Sequence, residues 1–240
     1  MTQRTSRGRR AAAVAVYGER YVVSIIFLCL AAYYLHRLLH ATGSDRAAIQ
    51  AAPFTTVIRQ VIWIQLYVYW GLLLLLGRRV TALPERFSDV LLPLATTFFY
   101  LAYNVIPWLP AWCRQNLCPA GWQSACASAS LVMTLGGLWI AMWAAVHLGR
   151  SFGVLVEVRQ VVLEGAYKWV RHPMYAGYAV LLTGFALANF TVAHFILVPL
   201  HIGLLLYRAR LEELRLAASS PSYEAYRRQT GFIFPRLRRR

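Results

Sequence analysis

Charged residues are scarce in this chain, and acidic residues are scarcer still. Only 14% of the 240 residues are charged and 59% are hydrophobic, whereas an ordinary soluble domain is about 25% charged. Nine acidic residues stand against 25 basic ones, and Lys168 is the only lysine, so arginine carries nearly all of the positive charge. This composition excludes an ordinary soluble domain and indicates an integral membrane protein.

Two further absences narrow the functional classes. No Gly-x-Gly-x-x-Gly turn is present, which excludes a Rossmann-type dinucleotide site. No histidine or carboxylate lies close in sequence to the cysteines clustered at 113–126, so we expect no metal-binding site. The arginines occur in short stretches beside apolar runs, which favours lipid headgroups over nucleic acid as their partner.

Six apolar runs approach or exceed the length of about 20 residues that a membrane-crossing helix needs. They are residues 21–39, 57–76, 90–109, 127–148, 174–190 and 192–207. The last two are separated only by a break at 189–191, and we expect a helical hairpin there rather than a re-entrant dip. The predicted fold is therefore all-α, a polytopic transmembrane helical bundle of about six spans.

The distribution of arginine predicts the orientation of this bundle. The basic stretches are residues 1–20, 78–86, 150–171 and 236–240. Six crossings place all of them on one side, and the opposite loops hold only Arg46 and Arg114. The positive-inside rule then predicts cytosolic N- and C-termini. Heavy use of arginine and alanine indicates a bacterial protein, hence the inner membrane.

The two parts of the chain differ in character. Ionisable groups are few in the first four spans and lie near their ends, whereas polar and apolar residues mix closely from Leu148 onward. We predict an N-terminal transmembrane bundle over 1–148 and a module over 149–240, with the hairpin and a cytosolic tail. A hydrophobic bundle with such a module suggests an enzyme that handles a lipophilic or membrane-proximal substrate.

Three of the four cysteines cluster in the loop after the third span. Cys113, Cys118 and Cys126 fall on the predicted non-cytosolic side, where an oxidising compartment favours disulfides. One disulfide among them and three free thiols are both compatible with the sequence.

The first chemically informative motif is residues 171–177, Arg-His-Pro-Met-Tyr-Ala-Gly, directly before the fifth span. Pro173 suits the first turn of a helix, where its missing N–H is not needed. Arg171 and His172 then lie beside a helix N-terminus, an arrangement that suits a carboxylate or another anion. A basic cluster that merely caps a span at the membrane edge is the alternative.

The second motif is the Glu212-Glu213 pair on the continuation of the last apolar run. A helix from 192 to 213 is roughly 33 Å long, which places the glutamates level with Arg171. Arg208 lies four residues before Glu212, and we expect a solvated surface pair between them. Adjacent glutamates do not share one helix face, so the spacing predicts that at most one points into a site.

Two elements follow the glutamate pair. Residues 221–230 predict a short amphipathic helix with Tyr223 and Tyr226 on one side. Residues 231–235, Gly-Phe-Ile-Phe-Pro, indicate an apolar plug or a simple membrane anchor.

Taken in order, these motifs resemble the isoprenylcysteine carboxyl methyltransferase family. The family pattern is a Gly-Pro-Tyr lead, Arg-His-Pro-x-Tyr-x-Gly, a helical hairpin, a Glu-Glu pair, a Tyr-x-x-Tyr tail and an apolar-Pro segment. Here the lead is 159–167, with Ala166 in place of the proline. The resemblance extends from Leu148 to the end of the chain.

The resemblance implies S-adenosylmethionine as methyl donor and a lipophilic carboxylate or thiol as acceptor. The implied catalytic residues are Arg171 and Glu213. The implied cofactor-binding residues are Tyr167, Arg171, His172, Pro173, Tyr175, Gly177, Glu212 and Glu213. This donor carries a carboxylate, an ammonium and a sulfonium, which call for a basic group, an acidic group and aromatic faces.

Two other classes compete with this prediction. Membrane reductases of the sterol-reductase type carry a similar C-terminal module and use NADPH, but they tend to have asparagine after Arg-His-Pro, where this chain has Met174. A non-enzymatic scaffold or a transporter is the third hypothesis. Transporters place ionisable groups at mid-membrane, and these spans have almost none.

Overall fold

The computed structural model describes residues 14, 17–44, 54–76, 88–151, 161–219 and 221–236. Within these ranges the secondary structure is helical, apart from two isolated bridges. The all-α prediction is therefore confirmed. The chain forms two compact units, 1–79 and 80–240. The domain boundary predicted at 148/149 is a different division and stays a prediction.

The first unit contains two apolar helices that pack through large side chains. They are α1 (Ser24–Ser44), which follows a π-helical turn at Glu19–Val23, and α2 (Phe54–Leu75). Phe27 stacks on Tyr67 with ring centroids 6.1 Å apart. Arg20 donates from Nε and Nη2 to the carbonyl of Leu75 at 3.1 and 2.8 Å, which satisfies an otherwise unpaired group at the end of α2.

The second unit contains the remaining helices and both chemical motifs. Its helices are α3 (Ser88–Phe98), continued by a 3₁₀ helix at Phe99–Trp108, α4 (Ala111–Arg114), α5 (Gln123–Leu148), α6 (Pro173–Asn189), α7 (Val192–Ser219) and α8 (Pro221–Gln229). Short 3₁₀ turns lie at Ala120–Trp122, Gly149–Ser151 and Gly165–Lys168.

Helices α6 and α7 form the predicted helical hairpin. Phe190 adopts the left-handed conformation, with φ of 44°, and its N–H donates to the carbonyl of Ala186 at 2.7 Å, which ends α6. Leu181, Val198 and Leu205 belong to the apolar core of the pair. Because α7 is longer than α6, its C-terminal half reaches the N-terminus of α6.

Helices α5 and α6 pack through small residues, which lets their backbones approach closely. A Cβ added to Gly177 would lie 2.6 Å from the backbone nitrogen of Ala141, and one added to Gly137 would lie 2.4 Å from that of Leu181. Neither distance is compatible with a side chain. This contact fixes the position of α6 and therefore of the motif at its start.

Two of the described helices are long and apolar enough to cross a membrane, Ala120–Leu148 and Val192–Ala218. Shorter apolar helices lie at Arg20–His36 and Ile64–Leu75. The count of six spans and the orientation of the termini stay predictions. The basic stretches 1–10, 78–86 and 237–240 and the residue Arg159 lie outside the described residues.

Candidate active site

The start of α6 and the C-terminal half of α7 converge on one polar cluster. Arg171 and His172 lie directly before α6, and Tyr175 lies in its first turn. These side chains meet Glu212 and Glu213 of α7. The two motifs, about 40 residues apart in sequence, are therefore adjacent because the hairpin folds one helix back along the other.

Arg171 joins three parts of the chain. Its Nε donates to Oε1 of Glu213, and its Nη1 donates to the backbone carbonyls of Arg227, at 3.0 Å, and of Thr230. The arginine and glutamate side chains are 8% and 5% exposed. A buried guanidinium thus connects the motif, α7 and the C-terminal tail.

His172 occupies the N-cap position of α6, and Pro173 follows in the first turn, as predicted. The imidazole ring packs edge-on against Phe232, with centroids 4.9 Å apart. Its Nε2 lies 3.4 Å from Oε1 of Glu213. This buried atom nevertheless has no hydrogen-bond partner among the described residues.

Both glutamates take part in the cluster, so the prediction that at most one faces it is wrong. Glu213 is buried and lies near Arg171 and His172, with Nη1 of Arg210 at 3.7 Å from its Oε2. Glu212 accepts a hydrogen bond from the Tyr175 hydroxyl at 2.5 Å. The two side chains leave α7 about 100° apart, but α6 presents partners to both.

Arg208 is buried, and the expected solvated pair with Glu212 is wrong in that respect. The pair does form, at 3.1 Å from Nε to Oε1. The Nη1 atom of Arg208 also donates to the hydroxyls of Thr96, at 3.3 Å, and Thr97, at 3.2 Å, both on α3. Partners on a helix distant in sequence draw this side chain inward. Arg210, in contrast, has a side chain that is 62% exposed.

The C-terminal tail closes over the cluster. The backbone N–H groups of Arg171 and His172 donate to the carbonyls of Gly231 and Phe232 at 2.8 and 3.0 Å. The Phe232 ring lies 4.2 Å from Cζ of Arg210. A Cβ on Gly231 would lie 1.7 Å from the carbonyl oxygen of Phe234, so only glycine fits this turn. Residues 231–235 are thus a wall of the site as well as an apolar segment.

Helix α8 holds the loop before the motif in place. The Tyr226 hydroxyl donates to the carbonyl of Tyr167 at 2.7 Å, and burial raises the pKa of Tyr226 to about 12. The ring of Tyr167 packs with Ala144 and Ala166. This predicted cofactor-binding residue therefore lies in a packing cluster beside α5.

The predicted site residues fall into two groups. The charged and hydrogen-bonded cluster contains Arg171, His172, Tyr175, Glu212 and Glu213. The other three lie outside this cluster: Pro173 begins α6, Gly177 lies in the contact with α5, and Tyr167 packs beside α5. Thr96, Thr97 and Thr230 also contact the cluster and were not predicted from the sequence. Adjacent threonines inside an apolar run were the available signal for the first two.

The described residues thus combine two helices long and apolar enough to cross a membrane with a buried polar cluster that is a candidate active site. Residues 130–218 match the family model described as the isoprenylcysteine carboxyl methyltransferase (ICMT) family. This match supports the family resemblance seen in the motifs, and the family it names consists of membrane methyltransferases. The matched region includes α6 and both glutamates. No curated protein matches the chain significantly.

Proposed function

We propose that this protein transfers a methyl group from S-adenosylmethionine to a lipophilic or membrane-proximal carboxylate or thiol. The observation that carries the proposal is the convergence of Arg171, His172 and Tyr175 on the Glu212–Glu213 pair. All five residues lie inside the region that matches the methyltransferase family.

The chemistry of the cluster fits the proposed cofactor. The amino-acid end of S-adenosylmethionine carries one carboxylate and one ammonium, and Arg171 and Glu213 offer a guanidinium and a carboxylate side by side. The buried Nε2 of His172 has no hydrogen-bond partner among the residues described, so it is available to bind a ligand. Tyr175 and Phe232 add aromatic faces.

When bound, S-adenosylmethionine supplies an electrophilic methyl group on a sulfonium. The protein's task is then alignment and the exclusion of water. Arg171 and Glu213 would hold the two ends of opposite charge, and the hydrogen bond between Tyr175 and Glu212 would fix the tyrosine ring. The tail from Gly231 onward would close the site, because its carbonyls bind the backbone of the motif. A carboxylate acceptor needs no general base.

The position of the cluster supports a lipophilic acceptor. Glu212 and Glu213 lie near the end of the membrane-capable helix Val192–Ala218. A substrate with an apolar body in the bilayer would present its polar end at this height. We place the reaction at the cytosolic face of the bacterial inner membrane, as the arginine distribution predicts.

The direct test is calorimetric binding of S-adenosylmethionine to the full-length protein purified in detergent. We expect Arg171→Ala and Glu213→Ala each to weaken binding at least tenfold, which corresponds to the loss of one charge-assisted hydrogen bond. Arg228→Ala and Glu224→Ala are matched controls, since both side chains are exposed, and should bind like the parent. Binding of NADPH in place of S-adenosylmethionine would overturn the proposal in favour of a reductase.

A second variant separates binding from folding. Arg171 connects the motif, α7 and the C-terminal tail, so its removal should also lower the stability of the folded protein. His172→Gln removes the imidazole Nε2, which has no hydrogen-bond partner in the described structure, and should disturb the fold less than the loss of Arg171. The ring contact with Phe232 is lost as well, so the melting temperature is measured to establish that the variant is folded. We expect it to weaken S-adenosylmethionine binding about tenfold. Unchanged affinity in a folded His172→Gln protein would exclude the histidine from the site, and absence of binding by the parent would refute the proposal.

A further inference from the structure

Two thiols lie side by side at the end of the hairpin opposite to the candidate active site. Cys118 precedes α5 and Cys126 lies in its first turn, and their Sγ atoms are 3.4 Å apart. Both residues are partly exposed, whereas Cys113 is buried. The structure thus distinguishes among three cysteines that the sequence left equivalent.

We propose that Cys118 and Cys126 form a reversible dithiol–disulfide pair, a modification site independent of the methyltransferase proposal. The oxidant is an external disulfide, small-molecule or protein. One cysteine thiolate attacks that disulfide and releases one reduced thiol. The second cysteine then attacks the mixed disulfide, closes the S–S bond between residues 118 and 126, and releases the other thiol. Two electrons and two protons pass to the oxidant, which leaves as two thiols.

The surrounding contacts give this pair a structural consequence. The N–H of Leu117 donates to the carbonyl of Phe190 at 2.8 Å, and Asn116 forms an antiparallel bridge with Thr191. The side chain of Asn116 also accepts a hydrogen bond from the N–H of Cys118 at 2.8 Å. A disulfide would therefore connect the start of α5 to the loop that lies against the α6–α7 turn.

The site suits an oxidising compartment. The loop lies on the non-cytosolic side in the topology predicted from arginine, where disulfides form and persist. A cross-link between segments eight residues apart removes conformational freedom from the unfolded chain. We expect oxidation to hold the turn more firmly while leaving the cluster around Arg171 and Glu213 unchanged.

The test uses the full-length protein in detergent, treated with oxidised or reduced glutathione. After denaturation and maleimide labelling, the oxidised protein should show two fewer free thiols, and peptide mapping without reductant should find residues 118 and 126 cross-linked. We expect the apparent melting temperature to rise by about 5 °C. Hydrogen exchange at the Leu117 amide should slow on oxidation, because that N–H bonds to the turn.

Single variants provide the controls. Cys118→Ser and Cys126→Ser should each abolish the cross-link and the thermal shift, whereas Cys113→Ser and Cys29→Ser should retain both. A cross-link that includes Cys113, or four free thiols after oxidation, would overturn the proposal. The thiol count is independent of S-adenosylmethionine binding, so the two proposals fail separately.

Discussion

Helix α6 packs against α5 through glycine and alanine backbone, and against α7 through an apolar core with charged and hydrogen-bonded side chains at one end. The first contact tolerates no added atom, since a Cβ on Gly177 would lie 2.6 Å from the nitrogen of Ala141. The second depends on partners such as Arg171 and Glu213, which satisfy each other away from water.

This difference separates positioning from chemistry. The contact with α5 is driven by dispersion and close packing, which set where α6 lies. The polar end of the contact with α7 holds ionisable groups whose removal leaves an opposite charge buried. Substitutions on the face toward α5 should therefore act mainly on stability. Substitutions at the polar end of the face toward α7 should change stability and ligand binding together.

The largest expected effect distinguishes the two glutamates. Glu213→Gln should lower the free energy of unfolding by about 3 kcal/mol, because the buried guanidinium of Arg171 loses its counter-charge. Glu212 is more exposed and Glu212→Gln should cost about 1 kcal/mol. Detergent unfolding titrations measure both. Equal costs would contradict the greater burial of Glu213.

The glycine face is tested by Gly177→Ala. The added methyl meets backbone atoms of α5, which no rotamer change can relieve, so we expect a loss of about 2 kcal/mol. Gly203→Ala on α7 is the matched control, because nothing lies within 4 Å of its added Cβ. It should be neutral or stabilising by up to about 1 kcal/mol. If S-adenosylmethionine affinity falls while folded Gly177→Ala protein persists, the glycine contributes to binding as well as packing.

Arg208 and Arg210 form the next comparison. Arg208→Met should lower the free energy of unfolding by about 1–2 kcal/mol, because Thr96 and Thr97 lose a donor and Glu212 loses its cation. Arg210→Met should change it by about 0.5 kcal/mol or less, since that side chain is mostly exposed. The same unfolding titration reports both, and a reversed order would refute the burial of Arg208.

The smallest effect concerns alkaline pH. Burial raises the pKa of Tyr226 to about 12, so the tyrosine of the unfolded chain ionises first as the pH rises. Stability should be unaffected by this group below about pH 10 and should fall between about pH 10 and 12. Tyr226→Phe should reduce that alkaline decline in melting temperature. An identical decline in parent and variant would place its cause elsewhere.

Much of the architecture could be predicted because it depends on local signals. Pro173 and the break at 189–191 are visible in the sequence, and the structure has a helix start and a turn at these positions. The apolar run 90–109 is visible too, but its α-helix ends at Phe98 and continues as a 3₁₀ helix. The contact of Gly177 with α5 could not be predicted, since a glycine in a helix indicates at most that space is limited there. The partner that limits it, Ala141, is known only from the tertiary structure.

The sequence by itself determined the class of the protein, the order of its motifs and the residue types available for catalysis, because hydropathy and short motifs are properties of neighbouring residues. The tertiary structure decided which charges pair, that both Glu212 and Glu213 have partners on α6, and that Arg208 is buried. Those outcomes depend on long-range contacts, in which a hydroxyl of α3 or a carbonyl of the tail supplies the missing partner. Burial and charge pairing are settled only where distant segments meet.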